Sequence, residues 1–133
     1  MTDNDEPIQT ELFDDPFCNA LDITFDEVED GTATTRMSVT ESHLNFAGVL
    51  HGGAVFTLAD AAAGAALSSR IGPDASIALE ANVSFLEAVD VGETVIATAE
   101  VPHESRKTAE MAVTVETETG ERVASYRCRG YKF

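Results

Sequence analysis

The chain of 133 residues has no tryptophan, only two cysteines and only three histidines. Cys18 and Cys128 lie far apart and form no CxxC pattern, so the sequence predicts neither a disulfide framework nor a zinc knuckle. His43, His51 and His103 are scattered, and no metal site or other cofactor is predicted. The acidic, polar start predicts neither a secretory signal nor a transit peptide. These shortages favour a protein of the reducing cytoplasm.

Basic residues are also scarce. Eight Lys and Arg stand against 24 Asp and Glu, which gives a formal net charge of −16. This charge argues against nucleic acid as a partner, because binding to a phosphate backbone requires a basic face. Acid-rich surfaces with few lysines are typical of proteins kept soluble in concentrated salt, where self-repulsion is screened. We therefore expect a salt-adapted source, with an acidic mesophilic protein as the alternative.

The few basic residues are unevenly distributed. Residues 1–105 carry a net charge of −18, whereas residues 106–132 carry a net charge of +2. The cations of this second segment are Arg106, Lys107, Arg122, Arg127, Arg129 and Lys132. Such a concentration suggests an anionic ligand, although each cation could instead pair with a surface carboxylate.

The length predicts one domain, with an acidic arm over residues 1–18 and a single domain over residues 19–133. Alternation of period two predicts six half-buried strands, and turns are predicted at Glu29-Asp30-Gly31, at 90–92 and at Thr119-Gly120. The alternating positions are Leu21, Ile23 and Phe25; Ala33, Thr35, Met37 and Val39; Ile77, Leu79, Ala81, Val83 and Phe85; Val95, Ala97, Ala99 and Val101; Met111, Val113 and Val115; and the stretch 122–131.

Residues 44–69, between the second and third strands, contain a single formal charge, on Asp60. The alanine-rich part over residues 54–69 favours a helix, and its small residues on all sides predict burial on more than one face. A membrane span is disfavoured, because the segment is dominated by Ala and Gly, holds an acid and lacks basic flanks. The predicted order is β-β-α-β-β-β-β, an α+β fold in which one long helix is wrapped by a curved antiparallel sheet.

Asp60 is the main candidate for chemistry, because an ionised carboxylate in an apolar helix is costly unless it is paired or solvated. It could instead cap a second helix beginning at Ala61, or be a structural acid bonded to backbone. Gly52 and Gly53, at the expected start of the helix, would allow close approach of a ligand to free N–H groups. His51 and Asn45 could orient that ligand, but each is more often structural when taken alone.

These residues together form a recognisable motif. The segment HLNFAGVLHGGAVFTLAD resembles the N-x-x-G-x-x-H-G-G-x-x-x-x-L-A-D segment of hot-dog fold thioesterases, in particular the PaaI-like branch of the phenylacetate pathway. The resemblance extends over roughly residues 20–133. The matching positions are Asn45, Gly48, His51, Gly52, Gly53, Leu58 and Asp60.

The resemblance implies a role for each matching residue. Asp60 matches the family's carboxylate, which acts as nucleophile or as general base on water. Gly52 matches the residue whose backbone N–H polarises the thioester carbonyl, with Gly53 beside it. His51 and Asn45 match residues that orient the thioester. The acid then comes from one subunit and the Gly and Asn from its partner, which implies a homodimer and, further, a homotetramer built as a dimer of dimers.

Two further positions follow from the same resemblance. Arg106 and Lys107 match a region that often meets the nucleotide end of CoA. Ala78 stands where some relatives carry a Ser or Thr that helps to position water, and Ser76 and Ser84 are out of register with it. The resemblance therefore implies that Asn45 and Asp60 alone hold the water.

The predicted function is hydrolysis of an acyl-CoA to a free acid and CoA, without metal or membrane. Three alternatives stay open at this point. One is a hydroxyacyl-thioester dehydratase on the same fold, which would use a histidine base, and another is a non-catalytic acyl-CoA-binding protein. The third is a purely structural, oligomer-forming protein.

Overall fold

The structure is a computed structural model, and it describes residues 14–133; most of the acidic arm predicted for residues 1–18 therefore lies outside the described residues. Within these described residues, two α-helices and six strands follow one another, with a short 3-10 turn, Glu41–His43, after the second strand. The elements are α1 (Pro16–Ala20), β1 (Thr24–Glu29), β2 (Thr32–Ser38), α2 (Gly52–Ile71), β3 (Ser76–Phe85), β4 (Thr94–Glu104), β5 (Thr108–Thr117) and β6 (Arg122–Lys132).

The first strand begins later than its alternation predicts. Asp15 accepts hydrogen bonds from the N–H groups of Phe17 and Cys18, and a proline follows it, so that a short helix forms here. Leu21 is the C-cap of that helix, and β1 starts only at Thr24. The prediction of strand at Leu21 was wrong, because a capped helix outweighs a three-residue alternation. Helix α1 also spans the expected boundary between residues 18 and 19.

The six strands form one antiparallel sheet in the order β1-β2-β4-β5-β6-β3. The predicted hairpin turns are confirmed: Gly31 between β1 and β2 has φ 84°, and Gly120 between β5 and β6 has φ 93°. Both values lie in the left-handed region that glycine adopts without steric cost. Strand β3 lies at one edge of the sheet, beside β6. It is far from β2 in the sheet, although it follows β2 in the sequence, because α2 connects the two strands and crosses the sheet.

Helix α2 is one uninterrupted helix of 20 residues, packed chiefly on β4, β2 and β5. Its buried side is broad and made of small and aliphatic residues, namely Ala54, Val55, Leu58, Ala59, Ala62, Ala63, Ala65, Ala66 and Leu67. The Thr35 hydroxyl donates to the carbonyl of Leu58 over 2.8 Å and ties the helix to the sheet. The opposite stripe, with Gly53, Asp60 and Gly64, is exposed. No helix within residues 14–133 is long and apolar enough to cross a membrane.

One long helix on an open six-stranded antiparallel sheet in this order is the hot-dog fold, which confirms the prediction from the sequence.

Strand β3 departs from the half-buried strand that its sequence predicts. A bulge between Ala78 and Glu80 interrupts the alternation, and most of the strand is exposed on both faces. The reason is its position at the sheet edge, where α2 covers little of it. Three of its large apolar side chains, Ile77, Leu79 and Phe85, are 58%, 56% and 56% exposed.

Candidate active site

The loop before α2 is held together by Asn45. Its Oδ1 accepts from the N–H groups of Ala47, at 2.8 Å, and Val49, at 3.3 Å. Its own N–H donates to the carbonyl of Val49 over 2.8 Å. The oxygen of the Asn45 side chain thus stabilises the turn, whereas its Nδ2 has no hydrogen-bond partner among residues 14–133. Asn45 can therefore offer a ligand a donor but hardly an acceptor.

Helix α2 starts with one free backbone donor. His51 is the N-cap, and its Nδ1 accepts from the N–H of Gly53 over 2.8 Å. The N–H groups of Ala54 and Val55 donate to the His51 carbonyl at 3.0 and 3.2 Å. Among the N–H groups of the first turn, that of Gly52 therefore has no acceptor within the described chain. Such a donor at a helix N-terminus is suited to an oxyanion.

Gly52 faces a close neighbour from the sheet edge. A Cβ at this position would lie 3.1 Å from Cζ of Phe85, at the end of β3. Glycine is therefore the residue that fits while the ring stays in place. Gly52, Asn45 and Phe85 line one cavity of about 410 Å³, together with Leu50, Val55 and the stretch 86–89.

Asp60 lies two turns further along α2, on the exposed stripe. The continuous helix excludes the alternative in which Asp60 caps a second helix at Ala61. The predicted burial of the helix on more than one face is wrong at Asp60 in the single chain, because the helix face that carries this acid is uncovered. It does have a partner: the hydroxyl of Tyr126, on β6, donates to its Oδ1 over 2.6 Å.

Tyr126 is fully buried, and the ring of Phe56 packs edge-on against it with a centroid distance of 5.4 Å. Burial, followed by the hydrogen bond to Asp60 and the charge of that carboxylate, raises the pKa of the Tyr126 phenol far above its ordinary range. Burial, with the negative charges of Asp15 and Asp60, raises the pKa of the nearby Cys18 thiol to about 12. Phenol and thiol are therefore both neutral around Asp60.

Tyr126 is the contact of Asp60 that the sequence did not predict. It stands at an inward position of β6, between the buried residues Ala124 and Cys128. A tyrosine in such a position must find a partner for its hydroxyl. That requirement could have pointed to Asp60, which needs a donor, although the two residues are 66 positions apart.

The structure does not bring all the predicted site residues together within one chain. Asp60 lines a cavity of about 430 Å³ with Phe25, Ala61, Gly64, Ser68 and the residues 14–16. This cavity shares no lining residue with the one at Gly52 and Asn45. Along the axis of α2, eight residues separate Gly52 from Asp60, which amounts to about 12 Å. One chain therefore presents a donor region and an acid region that face different cavities.

The remaining predicted residues lie outside both cavities. Ala78 is exposed on β3, opposite Gly130 of β6. Arg106 and Lys107 are exposed in the turn between β4 and β5. Lys107 Nζ lies 5.5 Å from the centre of the Tyr131 ring, and neither cation has a carboxylate partner within residues 14–133.

Comparison with known proteins places this chain in a family. The model of the Thioesterase superfamily matches residues 47–124, which is more than half of the chain. The chain therefore belongs to the thioesterase superfamily, and it is an enzyme of the thioester hydrolase class.

Within the family, the resemblance to PaaI is confirmed. The chain is 30% identical over 118 residues to the acyl-coenzyme A thioesterase PaaI of Escherichia coli, with 89% of this chain and 83% of that protein covered. The solved structure of Escherichia coli PaaI superposes with a TM-score of 0.84, covering 90% of this chain and 86% of that chain at 29% identity. The chain is also 34% identical over 102 residues to a 1,4-dihydroxy-2-naphthoyl-CoA hydrolase of Listeria monocytogenes, with 76% and 82% covered.

Proposed function

We propose that this enzyme is an acyl-CoA thioesterase, which hydrolyses an acyl-CoA to the free acid and CoA. The observation that carries the proposal is the free N–H of Gly52 at the start of α2, beside the free amide donor of Asn45. The relatives named as acyl-CoA and naphthoyl-CoA hydrolases support the substrate class.

The Gly52 N–H stabilises the oxygen of the thioester carbonyl as it gains negative charge. A donor of this kind typically contributes roughly 10²–10³ in rate. Asn45 Nδ2 is the second donor on the same cavity, and His51 holds the helix start in shape by accepting from Gly53. The N–H of Gly53 is bonded to His51 and does not face the substrate, so Gly53 contributes only by stabilising the N-terminus of the helix.

Asp60 supplies the attack. As a nucleophile, its free oxygen bonds to the thioester carbon, the carbon–sulfur bond breaks, and water then hydrolyses the resulting anhydride. As a general base, it takes a proton from water while that water attacks the same carbon. The CoA thiolate leaves without a strong general acid in either route. Both routes require Asp60 ionised and a donor at the carbonyl oxygen.

We propose that the complete site forms between two copies of the chain. The acid and the donors open into separate cavities of one chain, so a partner must bring its acid to this chain's donors. Strand β3 offers the contact: among described residues it pairs only with β6, and its free edge is long and apolar. Exposed edges of this kind are rare in monomers, because they invite pairing with another strand. The homotetramer, the cytoplasmic location and the salt-adapted source stay predictions.

A dehydratase is disfavoured by the state of His51. Its Nδ1 is occupied by the N–H of Gly53, so the neutral ring carries its proton on Nε2 and has no free lone pair to serve as a base. A crotonyl-thioester assay tests this directly, since hydration of that double bond would favour the dehydratase.

The proposal is tested with a panel of aromatic and aliphatic acyl-CoA substrates and detection of the released thiol. The wild type should release CoA, and Asp60→Asn should lower kcat by about 10² or more, because an essential base or nucleophile is lost. Asn keeps an oxygen that can accept from Tyr126, so the fold should persist. Asp74→Asn, at an exposed acid outside both cavities, is the control and should be as active as the wild type. Retention of more than about a tenth of kcat in Asp60→Asn would contradict the assignment.

A further inference from the structure

We infer that Tyr126 is a positioning residue, which holds Asp60 through Oδ1 and leaves Oδ2 as the oxygen that reacts. The inference rests on the proposed function, since it gives Asp60 its role. Its starting point is the hydrogen bond of 2.6 Å from the Tyr126 hydroxyl to Asp60 Oδ1, which is short, as expected of a donor to an ionised oxygen.

The hydroxyl comes from a strand in the interior of the sheet. Strand β6 lies inside the sheet, where Tyr126 pairs with Val113 of β5 on one side and Val83 of β3 on the other. The ring is fully buried against Phe56 of α2. Asp60, in contrast, stands on the uncovered stripe of α2 and has no other hydrogen-bond partner among residues 14–133. A fixed donor thus restrains a side chain that would otherwise sample several rotamers.

Toward Asp60 the phenol acts as a donor. Its pKa is raised far above the ordinary range by burial and by the Asp60 carboxylate, so it keeps its proton at any pH used for assay. The bond therefore orients the acid and leaves Oδ2 free to react.

Other titratable groups lie around Asp60. Cys128, on β6, and Cys18, on α1, have thiols whose pKa is raised, mainly by burial, and they stay neutral. Asp14 and Asp15, before α1, line the same cavity and add negative charge to it. Within the described chain, Tyr126 is thus the one side-chain donor to the Asp60 carboxylate.

The test is Tyr126→Phe, which removes one hydroxyl and keeps the ring against Phe56. We expect kcat to fall by roughly 10- to 100-fold with KM within about twofold, because orientation of the attacking group matters in the transition state more than in binding. The matched control is Tyr131→Phe, which removes the only other tyrosine hydroxyl of the chain, on the same strand. With a short thioester that lacks the nucleotide, this control should match the wild type.

A second measurement covers the case in which Tyr126→Phe fails to fold. In the Tyr131→Phe background, Tyr126 is the single tyrosine, so growth on 3-fluorotyrosine places one ¹⁹F probe beside Asp60. Its chemical shift should differ between this parent and its Asp60→Asn variant, because the acceptor of the Tyr126 hydroxyl changes from a carboxylate to an amide oxygen.

The outcomes separate the two proposals. A Tyr126→Phe enzyme with more than half of the wild-type kcat overturns the positioning role, as does a ¹⁹F resonance that is the same in Asp60→Asn as in its parent. If Asp60→Asn itself stays active, the proposed function of Asp60 fails instead, whatever Tyr126→Phe does.

Discussion

The two regions of the candidate site are built in opposite ways. The donor region, with Asn45 and Gly52, is made within one short segment by hydrogen bonds between residues two to four positions apart. The acid region is made by a contact between Asp60 and Tyr126, which are 66 positions apart in sequence and lie on different layers of the fold.

This difference explains how each region depends on the rest of the molecule. The donor region needs its own turn, the Phe85 ring beside Gly52 and the hydrogen bond that the Leu50 N–H donates to the Val89 carbonyl over 2.9 Å. The acid region needs the helix stacked on the sheet in register, since a shift of one residue in β6 would turn Tyr126 to the opposite face. Neither region is complete, because each opens into its own cavity. Function is therefore expected to require a second copy of the chain.

The largest expected effect comes from separating the two regions onto different chains. Asp60→Asn disables the acid, and Asn45→Asp disables the donor region, because it keeps an oxygen for the turn N–H groups but replaces Nδ2 and adds a repelling charge. Each variant alone should lose at least about 10² in kcat. Co-expressed in equal amounts, they should recover about a quarter of wild-type activity, because half of the dimers are mixed and each mixed dimer holds one intact site.

A site within one chain predicts no such recovery of activity. If each site lay within one chain, every site of the mixed dimer would carry a defect, and activity would stay at the level of the single variants. Sedimentation in high salt provides the control: the wild type and both variants should be dimers or larger at micromolar concentration. A monomer that is fully active would refute the shared site.

A smaller effect is expected from the cap of α2. His51→Ala removes the acceptor for the Gly53 N–H and leaves the helix start free to fray, which should lower kcat by about tenfold through the position of Gly52. His51→Asn should keep most of the activity, because asparagine is a favourable N-cap residue that accepts the same bond. Steady-state kinetics of both variants checks this. Equal losses in the two would show that the imidazole acts by itself.

The contrast between local and distant contacts also marks what the sequence could predict. Alternation and turn residues predicted the six strands, and an apolar segment with a single acid predicted the helix, since these patterns depend on near neighbours. The partner of Asp60 could not be predicted in this way, because strand pairing and helix docking bring Tyr126 to it. The exposure of β3 was missed for a related reason: alternation indicates a strand, but not whether that strand lies at the sheet edge or what covers it.

The cations of residues 106–132 differ in whether they have a partner on a neighbouring strand. Arg129 lies 3.6 Å from Glu80, and Arg127 donates to Asn82 over 3.3 Å, both across neighbouring strands. Arg106 and Lys107, in the turn between β4 and β5, lack a carboxylate partner among residues 14–133. In a chain with a net charge of −16, unpaired cations are the natural docking point for an anion such as the phosphates of CoA.

The smallest expected effect is therefore on binding of the nucleotide. Arg106→Ala combined with Lys107→Ala should raise KM for an acyl-CoA several-fold and leave kcat unchanged, because contacts to a remote part of the substrate are similar in ground and transition states. A short thioester without the nucleotide should react as with the wild type, and the rise in KM should shrink as salt screens the exposed charges. Arg127→Ala with Arg129→Ala is the matched control for loss of two cations, and its KM should stay near the wild-type value. If the Arg106 and Lys107 double variant loses activity equally on both substrates, the pair supports the fold and not the docking of CoA.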